Sequence, residues 1–151
     1  MKIGELIPEF HVPDQDCNYL STSDLIGEPL VIYFYPKDDT PGCTKQACSF
    51  RDRYSEFENA GAKVIGVRSD SPEEHREFQK KYRLPFTLIS DKNGALRKSF
   101  GVENNLLGLR LGRETFVFDK KGKLVHRFNS QIKTTKHISE AINALNRLAE
   151  S

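Results

Sequence analysis

Two cysteines, Cys43 and Cys48, stand five positions apart in the part of the sequence best suited to chemistry. The apolar, β-branched and aromatic run at residues 30–35 predicts a buried strand, which ends at Pro36 because proline has no N–H to donate to a sheet. After a charged turn, apolar residues recur from Ala47 at intervals of three and four, as in a helix. Cys43 is therefore predicted at a helix start, where unpaired N–H groups and the helix dipole stabilise a thiolate. A thiolate is the form of cysteine that acts as a nucleophile or a metal ligand.

The composition is balanced and typical of a globular protein. The chain has 151 residues, of which 23 are basic and 21 acidic, and its formal net charge is +2. We predict one domain, residues 1–151, and the near-neutral charge argues against binding to nucleic acid or to a membrane surface. Apolar runs are far shorter than the ~20 residues of a membrane span, and the first residues lack the apolar core of a secretory signal. We therefore expect a cytoplasmic location, where three cysteines indicate reactive thiols or a metal site rather than structural disulfides.

Strand and helix patterns alternate along the chain and predict an α/β fold. After an N-terminal hairpin, predicted strands at 30–35, 63–68 and 86–90 alternate with helices at 42–59, from Ser71 to just before Leu84, and at 94–100. A hairpin at 114–119 and 123–128 and a last helix from Thr134 or Thr135 complete the order. Parallel strands joined by crossover helices, with an antiparallel hairpin at one edge, predict a mixed central sheet with helices on both faces. The three-layer α/β/α thioredoxin fold is of this kind.

Several short motifs resemble those of one enzyme family. Pro36-x-x-x-Thr40-x-x-Cys43 matches the Pro-x-x-x-Thr/Ser-x-x-Cys motif of peroxiredoxins. The chain is similar in particular to the peroxiredoxin Q / bacterioferritin comigratory protein subfamily, through Phe34-Tyr35-Pro36, Thr40-Pro41-Gly42-Cys43-Thr44, Cys48 and Arg113-x-Thr115-Phe116. The likeness runs from Pro8-x-Phe10 to the last helix. Cys17 stands where this subfamily usually has glycine, so the resemblance implies no role for it.

The resemblance implies reduction of hydrogen peroxide or an organic hydroperoxide by a thiol. Cys43 would attack the peroxide as a thiolate, and Arg113 and Thr40 would bond the peroxide oxygens together with backbone N–H groups of Gly42 and Cys43. Pro36 would shield the sulfur. The family needs no cofactor or metal for this reaction, its natural partner is a thioredoxin-type reductant, and its Q members are often monomers. Leu106, Leu107 and Leu109 would rim the pocket and favour apolar peroxides, while Asp38 and Asp39 would point to solvent.

The spacing of the two cysteines makes a geometric demand. Family members with this spacing form a disulfide between the residues that correspond to Cys43 and Cys48. Five residues of α-helix correspond to about 7.5 Å of rise and roughly 140° of rotation, which puts the Cα atoms roughly 8.6 Å apart. A disulfide tolerates a Cα separation of up to about 7 Å. We therefore predict that the first turns of the helix unwind when the bond forms.

Other interpretations of the same residues remain open. A thioredoxin-like disulfide oxidoreductase usually has Cys-x-x-Cys, whereas four residues separate Cys43 and Cys48 here. A metal carrier of the same fold would use both cysteines and a histidine, and the four histidines are distant from them in sequence. Cys48 read alone fits a core cysteine, Thr40 a turn residue and Arg113 a surface arginine.

Overall fold

The computed structural model describes residues 1–36, 41–102, 112–130 and 133–150. Its strands are β1 (His11–Pro13), β2 (Tyr19–Ser21), β3 (Leu30–Phe34), β4 (Lys63–Arg68), β5 (Thr87–Ser90), β6 (Glu114–Phe118) and β7 (Leu124–Asn129). Its helices are a 3₁₀ turn (Thr22–Asp24), α1 (Pro41–Asp52), α2 (Tyr54–Asn59), α3 (Pro72–Tyr82), α4 (Ala95–Ser99) and α5 (Lys136–Ala149). Within these described ranges, none of the helices is both long enough and apolar enough to span a membrane.

Five strands form a mixed sheet in the order β5-β4-β3-β6-β7, and β1 and β2 form a separate antiparallel hairpin. β3 lies at the centre, parallel to β4 on one side and antiparallel to β6 on the other. The two parallel crossovers, β3 to β4 and β4 to β5, advance in the same direction across the sheet. Because such crossovers are right-handed, α1, α2 and α3 lie on the same face. The predicted α/β architecture with a mixed central sheet is confirmed.

Two hydrophobic clusters pack on opposite faces of this sheet. β3 is buried on both faces, and its side chains alternate between the two clusters. The first cluster joins the sheet to α1, α2, α3 and α5 through Tyr33, Phe50, Phe57, Phe78, Val117 and Ile142. The second joins it to α4 and the N-terminal segment through Ile7, Phe34, Ile89, Leu96, Phe100 and Phe116. The sheet is therefore covered on both faces, by four helices on one and by α4 with the N-terminal segment on the other.

The helix predicted from residue 42 to 59 is wrong in one respect, because it is two helices. α1 ends at Asp52 and α2 begins at Tyr54, and Arg53 between them leaves helical geometry with φ −109° and ψ 17°. The Arg53 side chain bonds Glu56 in α2 and Ser139 in α5. The break between α1 and α2 is thus accompanied by a contact between distant elements. Arg53 has no proline or glycine beside it, so the local sequence does not predict the break. The other predicted helices and strands are confirmed within one or two residues, including the Ser71 N-cap of α3.

Candidate active site

The pairing of β3 with β6 brings Arg113 to the end of β3. In this antiparallel register Phe34 faces Glu114, so Arg113, one residue before β6, lies beside Tyr35 and the start of the Pro36 turn. The chain then returns as α1, in which Cys43 is the third residue. The carboxyl end of β3, the first turn of α1 and the start of β6 therefore meet at one point. Two residues that are 70 positions apart in the chain become neighbours there.

A charged guanidinium lies against the sulfur at this point. Arg113 donates from Nη2 to Cys43 Sγ at 3.4 Å. The sulfur is buried, with Cys43 1% exposed, and Arg113 is 4% exposed. Burial of a positive charge is costly unless an anion or acceptor lies beside it, and in a buried environment the attraction to an anion is stronger than in water. This arrangement places a permanent positive charge against the sulfur of Cys43.

Gln46 fixes the orientation of the guanidinium and was missed by the sequence analysis. Its Oε1 accepts a hydrogen bond from Arg113 Nη1, so one arginine bridges Gln46 and Cys43. Gln46 is completely buried, an unusual environment for glutamine. Its position three residues after Cys43 on the same helix places both side chains on one face. A polar residue at this spacing within an apolar helix face was the available signal.

Gly42 leaves room for the same guanidinium. A Cβ added at Gly42 would lie 3.2 Å from Arg113 Nη2 and 3.7 Å from Thr134 Cγ2. Arg113 Nη2 could not retreat from that atom without changing its contact with Cys43. Absence of a side chain at this position is therefore a condition for the close packing of the arginine against α1.

The other predicted site residues are placed as follows. Pro36 is partly exposed directly after β3, and Cys48 is partly exposed on α1, five residues beyond Cys43. Thr40 lies outside the described residues, as do Asp38, Asp39, Leu106, Leu107 and Leu109. All three cysteines are free thiols. Cys17 has φ 63°, in the left-handed region that favours glycine, which agrees with a position usually occupied by glycine.

His137 is a buried neutral histidine close to this region. Its Nε2 lies 2.8 Å from the Ser130 carbonyl and its Nδ1 lies 2.8 Å from Thr115 Oγ1. Nε2 therefore carries the proton and donates to Ser130, and the Thr115 hydroxyl donates to Nδ1. Burial lowers the pKa of His137 to about 4. In the described part of the chain, no three His, Cys, Asp or Glu side chains are grouped so as to hold a metal ion.

Comparison with known sequences gives a consistent family. The AhpC/TSA family model matches residues 3–127 of the chain. Chloroplastic peroxiredoxin Q from Populus jackii is 50% identical over 145 residues, which cover 96% of this chain and 68% of the relative.

Solved structures of similar proteins agree. Peroxidoxin BcpB from Mycobacterium tuberculosis superposes with a TM-score of 0.89 at 34% identity, and 98% of each chain is covered. The bacterioferritin comigratory protein of Xanthomonas campestris, studied for its alkyl peroxide reduction activity, superposes with a TM-score of 0.84 at 34% identity. That match covers 93% of this chain and 92% of the Xanthomonas chain.

These relatives correct one expectation. The Populus jackii protein is chloroplastic by name, and so are relatives from Oryza sativa and Arabidopsis thaliana that are 49% and 46% identical to this chain. The prediction of a cytoplasmic location is therefore wrong, and the relatives point to a plastid. Composition could not have revealed this, because the folded domain has the same physical requirements in either compartment.

The fold, the family model and the relatives support one assignment. The family model covers most of the chain, and the curated relative is identical at half of the aligned positions. The resemblance stated from the motifs around Cys43 and Arg113 is confirmed. The chain belongs to the AhpC/TSA family and, within it, to the peroxiredoxin Q / bacterioferritin comigratory protein group.

Proposed function

We propose that this protein is a thiol-dependent peroxidase in which Cys43 reduces hydrogen peroxide and organic hydroperoxides. The observation that carries the proposal is the 3.4 Å contact between Arg113 Nη2 and Cys43 Sγ. A permanently charged donor beside a buried sulfur favours the nucleophilic thiolate. The same donor is placed to interact with charge that develops on the peroxide.

In the first step the Cys43 thiolate attacks one oxygen of the peroxide. The sulfur–oxygen bond forms as the oxygen–oxygen bond breaks, and the second oxygen leaves with the electron pair as hydroxide or alkoxide and takes up a proton. Sulfur is oxidised to a sulfenic acid, and the peroxide is reduced to water or an alcohol. Arg113 and Thr40 serve as donors to the peroxide oxygens, with the N–H groups of Gly42 and Cys43 at the helix start.

In the second step Cys48 resolves the sulfenic acid. Its thiol attacks Cys43 sulfur, the disulfide forms, and the hydroxyl leaves as water. A thioredoxin-type dithiol then reduces the disulfide by two thiol–disulfide exchanges and is itself oxidised. In the reduced helix Cys48 is partly exposed, whereas Cys43 is buried.

The substrate includes alkyl hydroperoxides, as described for the Xanthomonas campestris relative. We expect polar substitutions at Leu106, Leu107 and Leu109 to slow the reaction with cumene hydroperoxide more than the reaction with hydrogen peroxide. We propose that the protein acts as a monomer, as its resemblance to the peroxiredoxin Q group implies.

A coupled assay tests the proposal. Peroxide consumption with thioredoxin, thioredoxin reductase and NADPH should be lost in Cys43→Ser, while Cys48→Ser should give a single turnover that small thiols extend. Arg113→Ala should slow the first step, because the thiolate loses its cationic neighbour. An Arg113→Ala variant with an unchanged rate would remove that arginine from the site.

The alternatives predict different results in the same preparation. A disulfide oxidoreductase would reduce insulin disulfides without needing peroxide. A metal carrier would retain stoichiometric copper or zinc through Cys43 and Cys48. Either result, combined with absent peroxidase turnover, would contradict the proposal.

A further inference from the structure

Arg97 belongs to a helix on the opposite face of the sheet from Cys43, yet its side chain binds the backbone next to two residues of the candidate site, Pro36 and Arg113. It belongs to α4, which packs with the second hydrophobic cluster through Leu96. Its Nη1 donates to the Gly112 carbonyl at 2.7 Å, and its Nη2 donates to the Tyr35 carbonyl at 3.2 Å. One planar guanidinium therefore joins two chain segments that are 77 positions apart (112 minus 35).

The two carbonyls that Arg97 binds each belong to the residue directly before a candidate site residue. Tyr35 immediately precedes Pro36, and Gly112 immediately precedes Arg113. The backbone ladder between β3 and β6 ends at the Phe34–Glu114 pair, so these carbonyls lie just beyond the last regular pair. Arg97 thus extends the connection between the strands past the end of the sheet, where Arg113 turns toward Cys43.

Asp91 holds the backbone at the start of α4, and Phe34 packs against the guanidinium. Both oxygens of the Asp91 carboxylate accept hydrogen bonds from α4, from the N–H of Leu96 and the N–H of Arg97, each at 2.9 Å. The guanidinium also stacks over Phe34, 5.8 Å from the ring centre. Asp91 is itself 5% exposed, so the anchor is part of the core rather than a surface contact.

The Arg97 guanidinium is only partly exposed, and withdrawing a cation from water is costly. Burial, together with repulsion from Arg68, lowers the pKa of Arg97 to about 10, while Asp91, Cys43 and Glu114 act in the opposite direction. The group remains charged at neutral pH. An apolar side chain would serve packing at this position without that cost. A role connected with the site accounts for the presence of arginine.

We infer that Arg97 is a positioning residue for the peroxidase reaction: it clamps the backbone before Pro36 to the backbone before Arg113 and so sets where the Arg113 guanidinium meets the sulfur. This inference rests on the proposed function of Cys43 and Arg113. It assigns to α4 a part in catalysis through the backbone and not through contact with peroxide.

The test compares Arg97→Met with Leu96→Ala in the full chain. Arg97→Met keeps most of the side-chain volume and loses both carbonyl contacts, whereas Leu96→Ala weakens the packing of the same helix and keeps the arginine. We expect Arg97→Met to slow the reaction of Cys43 with hydrogen peroxide by about 10- to 100-fold. Leu96→Ala should react at close to the wild-type rate below its unfolding temperature. Arg97→Lys should recover part of the rate, because an ammonium can donate to one carbonyl.

A double-mutant cycle identifies the route of the effect. If Arg97 acts through Arg113, Arg97→Met should slow the reaction strongly in the wild-type chain and little in an Arg113→Ala background. A wild-type rate in Arg97→Met, equal losses in the two variants, or additive effects in the cycle would overturn the inference. A wild-type rate in Arg113→Ala would instead contradict the proposed function.

Discussion

At the scale of single residues, the orientation of one side chain decides how the candidate site works. Arg113 presents one nitrogen to Cys43 and another to Gln46, and the planar guanidinium makes the two contacts interdependent. A lysine at this position would carry the same charge, but it lacks the planar group that presents two nitrogens to two partners at once. The site is thus sensitive to groups that touch the arginine and need not touch peroxide.

Removal of the glutamine should disturb the arginine without removing its charge. In Gln46→Met the guanidinium loses its acceptor and is free to turn away from sulfur, so we expect peroxide reduction to slow about tenfold. Stopped-flow measurement of Cys43 oxidation checks this. Gln79→Met is the matched control, because Gln79 donates to the Phe86 carbonyl on another part of the sheet. Equal rates in wild type and Gln46→Met would show that Arg113 is oriented by other groups.

A methyl group at Gly42 should separate activity from stability. Its Cβ would lie 3.2 Å from Arg113 Nη2 and displace it from the sulfur, which should slow the reaction about tenfold. Replacement of glycine by alanine within a helix raises stability by up to about 1 kcal/mol, so thermal unfolding should not shift downward. Ser49→Ala on the same helix is the control for helix propensity. A faster reaction or a large loss of stability in Gly42→Ala would contradict this account.

Motif spacing predicted Cys43 and Arg113 as site residues, but it did not predict that Gln46 and Arg97 contact the site. Gln46 is one polar residue within an apolar helix face, and its local sequence does not show that its partner is Arg113. Arg97 looks like an exposed residue on a short basic helix. Their roles follow from tertiary contacts with residues that are far apart in sequence, which single-sequence patterns do not encode.

At the scale of elements, α1 carries both cysteines, and the proposed catalytic cycle requires it to change shape. Cys43 and Cys48 lie in one continuous helix, Pro41–Asp52, and helix geometry puts their Cα atoms roughly 8.6 Å apart. The bond between them needs the helix to open at its start. The interruption at Arg53 separates this segment from α2, so α2 can stay folded while α1 changes.

Hydrogen exchange should report this opening. In the oxidised protein, amides in the first two turns of α1 should exchange faster than in the reduced protein, while amides of β3 and α5 keep their protection. Mass spectrometry of peptides from residues 41–52 measures the difference. The Cys48→Ser variant treated with peroxide is the control, since it forms no internal disulfide. If mass spectrometry demonstrates the disulfide and the amides of α1 nevertheless keep their protection against exchange, the proposed unwinding of α1 is contradicted.

The elements themselves were largely predictable because their signals are local. The β-branched runs of β3 and β4 and the Ser71-Pro72 start of α3 depend on short-range chemistry, and the structure matches them closely. The break at Arg53 was not predictable, because its neighbours favour helix and its partner Ser139 lies in α5. At Arg53 the tertiary contact with α5 outweighs the helix preference of the neighbouring residues.

At the scale of the whole molecule, buried polar groups join parts of the fold that are distant in sequence. His137, the second residue of α5, bonds Thr115 in β6 and the carbonyl of Ser130 just after β7. It therefore ties the last helix to the sheet two residues from Arg113. Because the interior holds this histidine in its neutral form, its contribution to stability depends on pH.

Acid should weaken the fold through His137. The pKa of this group is about 4 in the folded protein and about 6.5 when unfolded, so the unfolded chain takes up the proton first as the pH falls. Its contribution is complete above pH 6.5 and falls by on the order of 3 kcal/mol as the pH is lowered to about 4. Urea unfolding across this range should show a flatter pH dependence in His137→Gln, and the exposed His11→Gln variant should keep the wild-type slope. Identical slopes in wild type and His137→Gln would contradict the assignment.

The pairing of β3 with β6 has a consequence for biosynthesis. Cys43 and Arg113 are 70 positions apart, so the cysteine emerges from the ribosome well before the arginine is translated. Until β6 docks, the nascent chain carries a thiol with no guanidinium beside it. On the proposed mechanism, the enhanced reactivity of Cys43 toward peroxide is thus acquired only when the C-terminal strands assemble, well after the cysteine itself has been synthesised.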